Sequence, residues 1–185
     1  GTFFADYRCS LTKEKTSQNI TIYGHNRLKD TEFGLIPKYR DLEFYKKNPI
    51  VKFDTTYQKA SYKVFAIFII DTQKMEPDVL EFRQPDYSSG DEFMELIKQV
   101  KRRSIINCPV DIKPDDKILT LYTCYYEIPD SRFIVMARQL RQYETPVVDV
   151  GLAVKNPAPL YPDRWYKKFG GKKPKFDDTA TTTKS

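Results

Sequence analysis

The chain has 185 residues, a length typical of a single domain. Hydrophobic residues make up 40% of it and charged residues 30%, which is typical of a folded globular protein and excludes a coiled coil, a collagen-like chain and a disulfide-dense miniprotein. The longest apolar run covers residues 64–70, far below the ~20 residues that a membrane-spanning helix needs.

The formal net charge of +6 is concentrated at the C-terminal end. Residues 157–185 contain seven Lys and Arg residues against three Asp residues, so the rest of the chain is nearly neutral. A nucleic-acid-binding protein concentrates its basic residues on a folded face or in a groove. The distribution therefore argues against nucleic acid as a partner. Contact of the basic tail with an anionic membrane or cell wall and a merely solvated tail both remain open.

Strand-forming segments dominate the first part of the chain. The predicted elements are strands over residues 19–25, 50–53 and 57–70, a helix over 37–47, and a second helix that starts after Ser89. Pro37 suits the first turn of a helix, and Asn48-Pro49 ends it. Ser89 followed by Glu92 is a capping box. The second helix has one apolar stripe, formed by Phe93, Leu96, Ile97 and Val100.

The last third predicts more strands, over residues 117–123, 132–138 and 147–154. Pro129-Asp130 marks a turn between the first two. Residues 160–170 predict a short docking helix ended by a glycine, and residues 177–185 a frayed end. The pattern is mainly β with helices inserted in the connections, as in a small barrel or sandwich.

Cys124 follows a strand-forming run, and Arg132 opens the next one. If the two strands form a hairpin, the thiol and the guanidinium lie at the same rim of the sheet. An arginine there stabilises a thiolate and can donate to an oxyanion on an acyl intermediate. A buried cysteine beside a surface arginine is the alternative that this spacing leaves open.

His25 is the single histidine and follows a strand end and a glycine. A histidine near a cysteine supplies the general acid and base of nucleophilic catalysis, whereas a lone histidine is often only a surface residue. The three cysteines, Cys9, Cys108 and Cys124, have neither CxxC spacing nor a histidine at zinc-finger spacing, so a structural zinc site is not expected.

Three segments together resemble the signature of the class B sortases. They are YGHN at residues 23–26, TLYTC at 120–124 and RFIV at 132–135, and the resemblance covers about residues 1–140. It implies a sortase-type β-barrel and a cysteine transpeptidase that uses no cofactor. By this resemblance Cys124 is the nucleophile, His25 the general acid and base, and Arg132 the group that holds the substrate and the oxyanion.

The resemblance also implies which residues bind substrate and which partners take part. The substrate-binding candidates are Tyr23, Tyr122, Thr123, Leu96 and Ile97, although core packing is the alternative for the last two. Tyr122 stands where the class commonly has serine, which affects substrate preference. The implied partners are surface or pilin proteins that carry a sorting signal, and an amine acceptor from a cell-wall peptide or a pilin lysine. The implied location is the outer face of the membrane of Gram-positive bacteria, with membrane association through a segment outside these 185 residues.

The expected organisation is a catalytic domain over residues 1–156 and a basic extension over 157–185. Residues 1–8 resemble an interior segment of a class B sortase, so we expect the N-terminal helices and first strands of the barrel to be missing. Such a barrel has an open edge, which a neighbouring chain, a swapped segment or the 157–185 tail would cover.

Overall fold

The computed structural model describes residues 2–26, 33–73 and 80–176. The main sheet contains β1 (Phe4–Ala5), β2 (Asn19–Tyr23), β3 (Ile50–Asp54), β4 (Lys59–Asp71), β6 (Ile118–Tyr125) and β7 (Ser131–Gln139). A two-stranded sheet pairs β5 (Ile106–Asn107) with β8 (Val154–Lys155). The helices are α1 (Leu42–Lys47), α2 (Gly90–Arg103) and α3 (Asp163–Phe169), with 3₁₀ helices at Phe33–Arg40 and Val150–Leu152.

The main sheet has the order β1-β2-β6-β7-β4-β3 and curls into a half-barrel. Its pairs are antiparallel except β2 with β6, which run parallel. The mainly β fold predicted from the sequence is confirmed, but the sheet is open, with β1 and β3 at its edges. β6 and β7 lie at its centre.

Side chains alternate between the two faces of the sheet and bury two apolar clusters. One cluster, which includes Leu119 and Leu121 of β6, fills the inside of the half-barrel. The other, which includes Ile118 of β6 and Ile134 of β7, packs against α2. Between the edge strands the inner face leaves an apolar cavity of about 440 Å³, floored by Leu119 and Leu121.

The predicted second helix forms as α2, because Ser89 caps it by accepting a hydrogen bond from the Glu92 N–H at 3.2 Å. Glu92 completes the cap differently from a standard capping box, since its carboxylate accepts from the N–H and hydroxyl of Ser88. The apolar stripe of α2 lies against the sheet, and Phe93 and Val100 are fully buried.

Two predicted elements differ in the structure. The predicted helix over 37–47 is divided at Asp41, whose carboxylate accepts from the Phe44 N–H at 2.8 Å and starts α1 anew. Pro37 therefore lies inside the preceding 3₁₀ helix rather than at a helix start. The predicted strand over 147–154 is wrong, since most of it is irregular or 3₁₀ and β8 begins only at Val154. Its apolar residues do not share one buried face, since Ala153 is 2% exposed whereas Leu152 is 66% exposed.

The C-terminal tail docks onto the domain through the predicted helix, which forms as α3 and ends at Gly170 (φ 75°). Trp165 stacks on Tyr161 with ring centroids 4.2 Å apart, and both pack against the inner cluster. The polar contacts of α3 include an ion pair from Arg164 to Asp71 of β4 at 3.2 Å and a hydrogen bond from Lys168 to the Glu127 carbonyl. Asp71 lies on the interior strand β4 and Glu127 lies between β6 and β7, so these two contacts of the tail are not with an edge strand of the sheet. Residues 177–185 lie outside the described residues.

A cluster of ion pairs fixes the end of β7 that is farther from Arg132. The Arg138 guanidinium, with its side chain 1% exposed, donates to both carboxylate oxygens of Glu144 at 2.6 and 2.7 Å. Lys63 of β4 donates to the same carboxylate at 2.7 Å. The hydrogen bonds from Arg138 hold the pKa of Glu144 well below its ordinary value, with Lys63 adding to the effect.

We expect Glu144→Gln to lower the free energy of unfolding by about 3 kcal/mol at pH 7, because it leaves a buried guanidinium without its bidentate partner. The folded pKa of Glu144 is depressed, so its contribution is complete above the unfolded pKa of about 4.3 and is lost as the pH falls below that value. The difference in the free energy of unfolding between wild type and variant, measured by urea denaturation, should therefore narrow from pH 5 to pH 3.

The control for this prediction is Glu43→Gln, which removes an exposed pair with Lys46 on α1. We expect a change within about 0.5 kcal/mol for the control at every pH. Equal effects of the two variants would contradict the stabilising role of the Arg138 cluster.

Candidate active site

The β-sheet register brings the three residues predicted to be catalytic into one row. Cys124 of β6 pairs directly with Arg132 of β7. On the other side of β6, Tyr23 of β2 pairs in parallel with Tyr122, so extending that register by two residues brings His25 level with Cys124. Paired residues of neighbouring strands point to the same face of a sheet. Cys124 and Arg132 therefore face the same side at one end of the sheet, and the segment that carries His25 follows β2 at that same end.

The segment around His25 is tied to the cysteine strand on both sides. The Gly24 N–H donates to the Tyr122 carbonyl at 3.2 Å, and the Thr123 hydroxyl donates to the Gly24 carbonyl at 2.8 Å. Asn26 donates from its side-chain amide to the Cys124 carbonyl at 3.0 Å. These bonds tie the Gly24 backbone and the Asn26 side chain to β6, while the His25 side chain itself is exposed.

Glycine at position 24 is explained by close packing. A Cβ there would lie 2.6 Å from a ring carbon of Phe33 and 2.9 Å from one of Phe3. A residue with a side chain would displace these rings, so the glycine allows Phe3 and Phe33 to pack against the segment that carries the histidine.

Cys124 lies within β6, whereas the sequence predicted that it begins a loop. The strand continues to Tyr125, which pairs with Ser131, and the turn closes at Asp130 with φ 58°. Because side chains alternate between the two faces along a strand, this continuation fixes the face of the sheet to which the Cys124 side chain points. Cys124 is half-buried and faces the same side of the sheet as Arg132.

Arg132 and Tyr122 lie together beside the cysteine. The Arg132 guanidinium donates to the Ser131 carbonyl at 2.9 Å and stands 6.0 Å from the centre of the Tyr122 ring. Burial raises the pKa of Tyr122, and the positive charge of Arg132 acts in the opposite direction. The guanidinium is thus positioned to stabilise negative charge at this end of the sheet.

The other two cysteines lie in different environments, and all three are free thiols. Burial raises the pKa of Cys9, and it raises that of Cys108 to about 12. Both thiols therefore remain protonated near neutral pH. No group of three or more His, Cys, Asp or Glu side chains suited to a metal occurs among the described residues.

The predicted substrate-binding residues have different surroundings. Tyr23 and Tyr122 are half-buried on the face that carries Cys124, and their rings meet edge to face at 5.0 Å. Thr123 is 1% exposed and holds Gly24, so its side chain positions the histidine segment. Leu96 and Ile97 are 6% and 2% exposed within the outer cluster. Their burial favours the core-packing interpretation over direct contact with substrate.

Sequence reasoning missed two features of the site. One is Asn26, which bridges to Cys124 and whose carbonyl accepts from the Tyr126 hydroxyl at 2.9 Å. The other is the segment at Phe82 and Arg83, which reaches Tyr122 from before α2, with Phe82 stacked at 6.3 Å. Apart from the motif that contains Asn26, no local pattern marks these residues, because the sheet topology creates their proximity.

Residues 6–140 match the sortase domain family, and the chain belongs to that family. Sortase B of Staphylococcus aureus (strain NCTC 8325 / PS 47) is 28% identical over 143 residues, which cover 76% of this chain and 55% of the relative. Sortase B of Listeria monocytogenes serovar 1/2a is 27% identical over 124 residues, covering 67% and 47%. The chain thus spans about half the length of these curated relatives.

The comparison with solved structures agrees in fold. A Staphylococcus aureus sortase B–substrate complex superposes with a TM-score of 0.66 at 28% identity, covering 77% of this chain and 63% of that one. The resemblance to class B sortases predicted from the three motifs is confirmed.

Proposed function

We propose that this chain carries out the cysteine transpeptidation of a class B sortase, with Cys124 as nucleophile, His25 as general acid and base, and Arg132 as oxyanion donor. The single observation that carries the proposal is the alignment of Cys124 on β6 with Arg132 on β7 and with the His25 segment that follows β2. Membership in the sortase family supports the reaction type.

In the first half-reaction the Cys124 thiolate attacks the carbonyl carbon of a peptide bond in a sorting signal. Arg132 donates hydrogen bonds to the oxygen as it becomes negative. The C–N bond then breaks, the amine leaves with a proton from His25, and a thioester remains on Cys124.

In the second half-reaction an acceptor amine attacks the thioester carbon. Neutral His25 takes the proton from this amine, the C–S bond breaks, and the Cys124 thiolate is restored. The first half-reaction therefore needs the thiolate of Cys124 and the protonated form of His25 at the same time.

The proposed substrates are surface or pilin proteins that carry a sorting signal, and the proposed acceptor is an amine of a cell-wall peptide or a pilin lysine. The proposed location is the outer face of the membrane of Gram-positive bacteria, where sortases act. No helix among the described residues is long and apolar enough to cross a membrane.

Mass spectrometry of the intact protein after incubation with sorting peptides tests this function. We expect a thioester adduct on Cys124, and a ligated peptide when an amine such as triglycine is added. Acid release that is independent of the amine would indicate a cysteine hydrolase instead. Absence of any adduct on Cys124 would leave a non-catalytic surface module with a sortase fold.

A further inference from the structure

A cavity of about 430 Å³ opens beside Tyr23, on the face of the sheet that carries Cys124. Phe4, which pairs with Tyr23 across β1 and β2, stacks on its ring at 5.1 Å. The cavity is lined by Phe4, Ala5, Asp6, Tyr7, Arg8, Tyr23 and Arg83. It therefore combines an aromatic wall with charged side chains.

The cavity lies within reach of a peptide bound at Cys124. Tyr23 lies on β2, next to the strand that carries Cys124. It pairs with Tyr122, which lies two residues before Cys124 and faces the same side of the sheet. With ~4.8 Å between strands and ~6.8 Å per two residues, the separation of the two Cα atoms is about 8 Å. An extended peptide rises ~3.3 Å per residue, so a peptide that runs from Cys124 toward Tyr23 places a side chain two or three residues from the reacting carbonyl over Tyr23.

Most of the charge in this cavity is already compensated. Arg8 makes two hydrogen bonds of 2.9 Å to the Asp6 carboxylate, and the Tyr23 hydroxyl donates to the same group at 2.6 Å. These bonds, with Arg8 contributing most, hold the pKa of Asp6 well below its ordinary value. The Asp6–Arg8 pair is thus a closed unit on one side of the cavity.

Arg83 on the other side makes only a weak ion pair. Its contact with Glu81 is 4.0 Å long, and the two side chains are 40% and 57% exposed. Such an exposed pair contributes little. Burial raises the pKa of Tyr23 to about 12, and hydrogen bonding and charge from Arg83 oppose this rise. Burial also raises the pKa of Tyr122, where the charge of Arg83 acts in the opposite direction. Arg83 thus lines the cavity beside Tyr23, and its charge also acts on Tyr122.

We propose that Arg83 is a specificity residue that binds an acidic side chain of the sorting signal, two or three residues from the scissile bond. The carboxylate accepts from the Arg83 guanidinium in place of Glu81, and the side chain rests against the rings of Tyr23 and Phe4. This inference rests on the proposed function, and it names the chemistry of the substrate that the site selects.

The test is a set of fluorogenic peptides with Asp, Asn or Lys at each of the four positions before the scissile residue. We expect the wild-type chain to prefer Asp over Asn at one of these positions by roughly five- to tenfold in kcat/KM. Arg83→Gln should remove this preference through KM, with kcat nearly unchanged, because the contact is the same in ground and transition states. Arg83→Glu should reverse it in favour of Lys.

Two further variants control for charge in general. Glu81→Gln removes the competing carboxylate and should strengthen the preference for Asp, whereas Lys13→Gln, at an exposed position in another part of the chain, should leave it unchanged. If the ratio of kcat/KM for the Asp and Asn peptides is equal in wild type and Arg83→Gln, this proposal is overturned. Turnover of the peptides in that result leaves the proposed function intact. Failure of every peptide to acylate Cys124 rejects both.

Discussion

Replacing Cys124 with alanine is expected to abolish turnover, a loss of roughly 10⁴-fold or more, because no other group can form the acyl intermediate. Cys9→Ala and Cys108→Ala should keep most of the activity. Burial holds both of these thiols protonated, and neither belongs to the row with His25 and Arg132. Peptide ligation measured by chromatography, with thiol labelling of each variant, checks the assignment.

The two control variants remove similar numbers of atoms from half-buried sites, so a stability effect alone would affect them as well. Circular dichroism of each variant separates unfolding from loss of chemistry. A folded Cys9→Ala or Cys108→Ala protein that has lost its activity would contradict the assignment of Cys124.

Replacing Arg132 with lysine is expected to lower kcat/KM by roughly 10²- to 10³-fold, although the positive charge is kept. The planar guanidinium can hold the Ser131 carbonyl and donate to a developing oxyanion at the same time, whereas an ammonium acts as a point charge. Loss of one oxyanion donor typically costs about 2.7–4 kcal/mol of transition-state stabilisation. Single-turnover acylation of Cys124 measures the effect directly.

Arg141→Lys is the matched control for this substitution. Arg141 forms a two-pronged ion pair with Asp116 at 2.7 and 2.8 Å, away from the row of catalytic candidates. Its variant should lose stability and keep its acylation rate. An Arg132→Lys protein with a wild-type acylation rate would show that the guanidinium geometry has no part in the reaction.

Sequence patterns predicted the elements that form the centre of the fold. The strands that contain Cys124 and Arg132 are long, include several β-branched and aromatic residues, and are bounded by turn residues. Local propensity and burial therefore agree there. The stripe of α2 was equally clear. Residues 147–154 show where such a pattern is insufficient, because a run rich in apolar residues forms a strand only where a partner strand and a core receive it.

The candidate site was predictable in its residue types and not in its geometry. Motif resemblance named His25, Cys124 and Arg132, but their alignment depends on a parallel pairing between strands almost one hundred residues apart. The same parallel pairing places Asn26 beside Cys124. Arg83 comes from a connection with no periodic pattern, so only the folded chain reveals that it lies near Tyr23 and Tyr122.

The central position of β6 and β7 has a consequence for heat inactivation. Each of these strands is hydrogen-bonded on both sides, so exchanging their amides with solvent requires opening most of the sheet. The half-buried thiol nevertheless belongs to this slowest-exchanging part of the backbone. Many enzymes lose activity before they melt, because their reactive groups stand on loose loops. In this protein the thiol and the guanidinium should keep their alignment until the whole sheet melts cooperatively, so any loss of activity that precedes melting should arise at the His25 segment.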